Sequence, residues 1–186
     1  MVKRFVAGIV TAGLMLALLG GGMVVTASGD AGSSGKSGKF KPKQFKGAWK
    51  GKWNNKTFKT TGAATMKLKV KGKGKKQQFI GTFDLGGNAF GCPDPAPRTV
   101  KMKKGNGANS WNSKGFKVSY DNGQGPVKLT YKHKKQKFSG SGTSPCTPTI
   151  TYTYDGKMTT KKVTADVEIF NGGTKFAKST LSVKKK

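Results

Sequence analysis

From Phe45 onward the chain alternates. In Phe45-Lys46-Gly47-Ala48-Trp49-Lys50-Gly51-Lys52-Trp53 the odd positions carry Phe, Gly, Trp, Gly and Trp, and the even positions carry Lys, Ala, Lys and Lys. Met66-Lys67-Leu68-Lys69-Val70-Lys71 repeats the scheme with aliphatic residues. Successive side chains of a β-strand point to opposite faces, so each run has one apolar face and one cationic face. The same period predicts strands near 45–53, 64–71, 78–84, 99–103, 115–120, 127–132, 137–141, 149–154, 162–170 and 175–183, about ten in all, set apart by Gly, Pro, Asn and Asp. No helical period follows the first 27 residues. The pattern therefore predicts one all-β domain over 45–183 with a single core.

The region before it divides in two. Lys3 and Arg4 precede a stretch, Phe5 to Val25, that is apolar apart from Thr11, and Val25-Thr26-Ala27 supplies small residues at −3 and −1. This pattern predicts a signal peptide over 1–27, with an uncleaved anchor as the alternative. Residues 28–44 are rich in Lys, Gly and Ser and predict a flexible cationic leader. The expected location is secreted or cell-envelope.

An internal repeat is also visible. Trp53-Asn54-Asn55-Lys56-Thr57-Phe58-Lys59 returns as Trp111-Asn112-Ser113-Lys114-Gly115-Phe116-Lys117. Met66 to Lys71 returns as Val127-Lys128-Leu129-Thr130-Tyr131-Lys132, and Lys76-Gln77-Gln78-Phe79-Ile80-Gly81 as Lys135-Gln136-Lys137-Phe138-Ser139-Gly140. Each copy then reaches a cysteine followed by proline. The units span about 45–100 and 105–155, with C-terminal strands over 160–183, at a period of about 60 residues. Chance similarity within a lysine-rich chain is the competing explanation. Cys92 and Cys146 are the two cysteines. An exported chain with two cysteines has one intramolecular pairing open to it, against a pair of free thiols.

Gly47-Ala48-Trp49 and Gly51-Lys52-Trp53 resemble the Gly-x-Trp signature on the first strand of calycins, the lipocalin and avidin type of secreted barrel. The resemblance implies an antiparallel meander closing into a calycin-like barrel; two coiled half-barrels are the other arrangement the repeat allows. In either case Trp49, Trp53, Trp111, Phe79, Phe83, Phe116 and Phe138 are expected to face inward, as packed core or as the lining of a ligand cavity.

Charge narrows the chemistry. The net charge is +29, and of 36 basic residues only Arg4 and Arg98 are arginine. Lys46, Lys50, Lys52, Lys67, Lys69, Lys71, Lys128 and Lys132 fall on the polar faces of strands, a coat suited to anionic polymers or cell-envelope surfaces. Nucleic acid would be held incidentally, since lysine is a hydrated point charge and base readout favours the arginine fork. No specific nucleic-acid partner, cofactor or metal is expected, and a monomer is. The lone histidine, His133, lies among lysines in an expected exposed turn, which disfavours acid–base catalysis and enzyme function. The loop Gly86 to Pro97 is expected to anchor the disulfide and stand at the rim of the barrel. Like charges at this density repel, so the melting temperature is expected to rise from low to high salt; a flat response in salt-series calorimetry would show the lysines to be internally compensated.

Overall fold

The computed structural model describes residues 38–89 and 91–186; the signal peptide expected over 1–27 and most of the leader expected over 28–44 lie outside the described residues. The strands are β1 (Gly47–Asn55), β2 (Thr61–Lys71), β3 (Gln78–Leu85), β4 (Asn88–Ala89), β5 (Cys92–Pro93), β6 (Arg98–Lys104) and β7 (Ser110–Asn112). They continue as β8 (Gly115–Asp121), β9 (Pro126–Lys132), β10 (Lys137–Thr143), β11 (Ile150–Met158), β12 (Lys162–Asn171) and β13 (Thr174–Lys185). Eleven of them, all but β4 and β5, form one closed barrel in meander order. The ring closes where β1 pairs with β13, from Trp49 opposite Lys185 to Asn55 opposite Ser179. Closure leaves no sheet edge along this join.

All ten strands anticipated from the alternation are present, and their apolar faces form the interior. The β1 pattern is a case in point: Trp49 and Trp53 are buried while Lys50 and Lys52 are exposed. Ile80 sits on the outer face, yet is nearly buried. It is flanked in register by Lys69 and Lys101, whose methylene stems can cover it while their ammonium groups stay in water. The β12–β13 hairpin turns through Gly172 and Gly173, both at positive φ, the geometry that a tight two-residue turn between twisted strands requires.

Three features depart from expectation. First, the wall is not wholly antiparallel. The three-residue β7 pairs parallel to β6, through Lys103 opposite Ser110 and Lys104 opposite Trp111, before turning back antiparallel into β8. Its shortness hid it from a period-2 search. Second, the end of the leader is part of the fold. Pro42–Phe45 forms a 3-10 turn, so the first strand begins at Gly47 and not at Phe45. Phe40, Pro42 and Phe45 are buried. Third, His133 is buried, not solvated, because its 3-10 turn (His133–Lys135) tucks the ring under this end of the barrel while Lys134 and Lys135 stay outside.

These residues make an aromatic floor. The Phe40 ring lies 5.3–6.4 Å from those of Phe45, Phe79, Trp111, Phe116, Tyr131 and His133. Most pairs are tilted or edge-on, the arrangements that the ring quadrupole favours. The backbone N–H of Phe40 donates to Ser113 O at 2.8 Å, which ties the floor to the wall. Trp49 Nε1 donates to Phe45 O at 3.2 Å. Tyr131 donates its hydroxyl proton to Met158 O at 3.0 Å and meets His133 Nδ1 at 3.1 Å, so Nδ1 is the donor of that second bond. Burial pushes the Tyr131 phenol up to about 12.

The two segments that the sequence aligns as copies share part of their architecture. The β2–β3 and β9–β10 hairpins both turn through a short 3-10 segment at the floor end (Gly74–Lys76 and His133–Lys135), and each is followed by a loop carrying one of the two cysteines. The tryptophans do not correspond. Trp111 packs on the floor, whereas Trp53 lies at the far end, where its Nε1 donates to Gly86 O at 2.9 Å.

Burial lowers the pKa of His133 below its ordinary 6.5. The folded chain therefore binds fewer protons than the unfolded chain, and the contribution to stability, complete above pH 6.5, declines as pH falls below it. Because this is the single histidine, no other side chain has its ordinary titration in that window. The melting temperature is expected to drop between about pH 7 and pH 5. His133→Phe, which keeps an aromatic ring in the floor, is expected to flatten that slope in pH-series calorimetry.

Candidate functional site

The side chains of the interior do not fill it. Above the floor lies a cavity of about 260 Å³, reaching from Phe79, Phe116 and Met158 to Pro95, Ala96 and Pro145 at the opposite rim. That is slightly below the usual range of ligand pockets, about 300–1,000 Å³. The expectation of inward-facing aromatics divides here. Phe79, Phe83, Phe116 and Phe138 line the cavity, whereas Trp49, Trp53 and Trp111 are buried elsewhere in the core. Aliphatic residues and methionines from every long strand except β1 and β10 complete the lining.

What keeps the space open is a set of glycines opposite rings. Across β10 and β11, Phe138 pairs with Gly156, Gly140 with Tyr154, and Gly142 with Tyr152. A Cβ at any of these glycines would run into the partner ring. The rings therefore lie against the wall over the neighbouring strand and do not project inward. Trp53 does the same over Gly62, its partner on β2. The glycines of β1 itself do not make this room: a Cβ at Gly51 would meet the β13 backbone at Ser182 and Val183, and the space for each ring comes from the adjacent strand. Tyr152 and Tyr154 stack at 6.0 Å, and burial raises both phenol pKa values well above the ordinary 10.

The polar atoms of the lining are few. Tyr154 donates its hydroxyl proton to Lys128 O at 2.6 Å. Asn122 donates from Nδ2 to Thr143 O at 2.6 Å, and its Oδ1 accepts from the N–H groups of Gln124 and Gly125. The remaining lining groups with polar atoms are Thr65, Arg98, Tyr120 and Tyr152. No Asp or Glu lines the space.

The rim is built from two loops joined covalently. Cys92 is the first residue of β5 and Cys146 follows β10; they form a disulfide with Cα atoms 5.2 Å apart, closing 54 residues of chain. A loop of that length is worth about 4 kcal/mol on a chain-entropy model. Asp94 Oδ1 accepts the Gly87 N–H at 2.6 Å, which fixes the excursion. Elsewhere at this end, Phe58 and Phe176 are about half exposed and pack on one another at 5.1 Å.

The wall has a seam. β6 and β8 are joined only through β7, near the floor; above it Asn109 substitutes for a strand neighbour, its side-chain amide exchanging two hydrogen bonds with the Ser119 backbone at 2.8 and 2.9 Å. Arg98, Thr99, Val100, Lys101, Asn109 and Tyr120 border a crevice there. Arg98 and Tyr120 line both the crevice and the main cavity.

Outside, Lys46, Lys50, Lys52, Lys67, Lys69, Lys71, Lys128 and Lys132 are all exposed. Among the described residues the one ion pair joins Lys175 Nζ to Glu168 Oε1, whose carboxyl is held below its ordinary range by that bond. Among those residues, too, no helix is long and apolar enough to cross a membrane. No grouping of three or more His, Cys, Asp or Glu in a metal-binding arrangement occurs among them either.

No protein-family model matches the chain, and no curated protein is a significant match. Among solved structures, one similar fold is that of a protein of unknown function from the DUF3598 family of Nostoc punctiforme, with a TM-score of 0.51 at 11% identity. The alignment covers 81% of this chain and 50% of the neighbour, so this chain corresponds to about half of that protein. The likeness supports the barrel and says nothing of activity.

Gly142→Ala is expected to turn the Tyr152 ring into the cavity, because the added methyl meets the ring where backbone is not the obstacle. Uptake of a neutral naphthylamine dye should weaken by about 1–3 kcal/mol, the usual cost of overfilling, with strand content by circular dichroism unchanged. Gly107→Ala, whose Cβ would meet nothing within 4 Å, is the control.

Proposed function

We propose that this chain is an exported, calycin-like, non-catalytic carrier that holds a small, mainly apolar ligand inside its barrel. The observation that carries the proposal is the 260 Å³ cavity, whose lining is aliphatic and aromatic except for six residues with polar side chains. Transfer of apolar surface from water into such a space is favourable by about 25 cal/mol per Å². The space is preformed, so the ligand need not displace packed side chains to enter. The disulfide across the rim supports an extracytoplasmic setting.

A second reading, binding of anionic polymers or cell-envelope surfaces by the lysine coat, is favoured by a separate observation. Seven strand-face lysines and Lys46, just ahead of β1, stand exposed, and only Lys175 of the described lysines is ion-paired. The two readings are compatible: the coat would set where a monomeric carrier resides, and the cavity what it carries. Nucleic acid is an incidental partner in this scheme.

Native mass spectrometry of protein purified from its own host is expected to show a ligand adduct, and a neutral apolar dye should bind with about one-to-one stoichiometry. A ligand-free protein that also refuses every apolar dye would overturn the carrier reading. For the coat, retention on heparin and on anionic vesicles should be strong at low salt and fall steeply as salt rises; weak or salt-independent retention removes the second reading.

A further inference from the structure

Among the residues that line the cavity, one carries a formal charge. Arg98 is the first residue of β6 and is exposed at the cavity's mouth; it shares its parity with the buried Val100 and Met102, while Thr99, Lys101 and Lys103 point out. It is the one arginine among the described residues, where every other cationic side chain except His133 is lysine. Among the described residues it makes no ion pair, and no acid lines the cavity to neutralise it. Tyr120 stands beside it with the same inward parity on β8, close enough that the guanidinium partly offsets the effect of burial on the phenol. Asn122 and Tyr154, by contrast, have their hydrogen bonds already committed to the barrel.

We propose that the carried ligand has a carboxylate head, bound between the Arg98 guanidinium and the Tyr120 hydroxyl where the β6–β8 seam meets the cavity, with its apolar tail directed at Phe79, Phe116 and Met102 above the floor. The inference rests on the carrier reading and adds the ligand class to it. A guanidinium presents paired N–H donors to a planar carboxylate, and the phenol adds a third donor. At the edge of an apolar space these bonds are less screened than any that the outer lysines make in water. The seam gives the head group a place at the wall, where it keeps partial access to solvent, while the tail occupies the dry interior.

The test is displacement of the neutral dye N-phenyl-1-naphthylamine by decanoic acid and by decan-1-ol, at neutral pH and at salt high enough to screen the lysine coat. The acid is expected to compete about tenfold better than the alcohol, the scale of a charge-assisted hydrogen bond. Arg98→Met, which keeps an unbranched stem and removes the charge, should bring the acid down to the level of the alcohol and leave the alcohol unchanged. Lys103→Met, on the outer face of the same strand and away from the crevice, should leave the preference for the acid intact. Equal competition by acid and alcohol in the unmodified protein overturns this inference and leaves the carrier reading standing. The same holds for a preference that Arg98→Met does not reduce, or that Lys103→Met abolishes. Failure of the dye to bind, or of both competitors to displace it, overturns the carrier reading and this inference with it.

Discussion

The hydrogen bonds between the first and the last strand give this molecule an inside. Until β1 and β13 pair, each strand has an apolar face with nothing to enclose it and a cationic face that repels its neighbours. Once Trp49 lies opposite Lys185 and the ladder runs to Asn55 and Ser179, all the apolar faces turn to one shared space. The lysines then lie around the outer surface, some of them directly opposite one another across a ladder, as Lys50 and Lys184 or Lys132 and Lys137. A flat sheet with the same alternation would concentrate its positive charge on one plane and leave the other plane bare. Closure thus reconciles a net charge of +29 with a compact fold.

Closure alone does not determine whether the interior is solid or hollow. Cross-strand pairing of small with large does. Gly140, Gly142 and Gly156 sit opposite Tyr154, Tyr152 and Phe138, and each ring spends its bulk on the wall. At the floor the relation is reversed: Phe40 and Phe45 come in from the leader and fill one end completely, on top of Tyr131 and His133. The same residue class therefore seals one end and clears the middle, and register decides which.

Much of this was legible in the alternation. Runs such as Met66 to Lys71 and Val163 to Ile169 state both the strand and the face, because period 2 needs only neighbours in sequence. The rest depends on partners far apart along the chain. Ser110-Trp111-Asn112 is too short to show a period, so the parallel link in the wall left no trace. Phe40 is a single apolar residue in a polar leader, and nothing nearby says that a barrel end waits for it. His133 sits among lysines because its backbone is in an outer turn, and only the path of the side chain takes it under the floor. The cavity was the hardest to read, since a glycine beside an aromatic along the chain differs from a glycine across from one. Arg98 did carry a signal in composition, as an arginine where every other described Lys/Arg position is lysine, but its place at the cavity's mouth needed the strand parity of β6.

The floor also has a consequence for the order in which the fold assembles. Phe40 and Phe45 precede β1, yet their contacts belong to Phe79, Trp111, Phe116, Tyr131 and His133, residues that follow far along the chain. The seat for these two rings exists only once pairings of high sequence separation have formed around it. Such topologies fold slowly, because chain entropy is lost well before the contacts that compensate it are made.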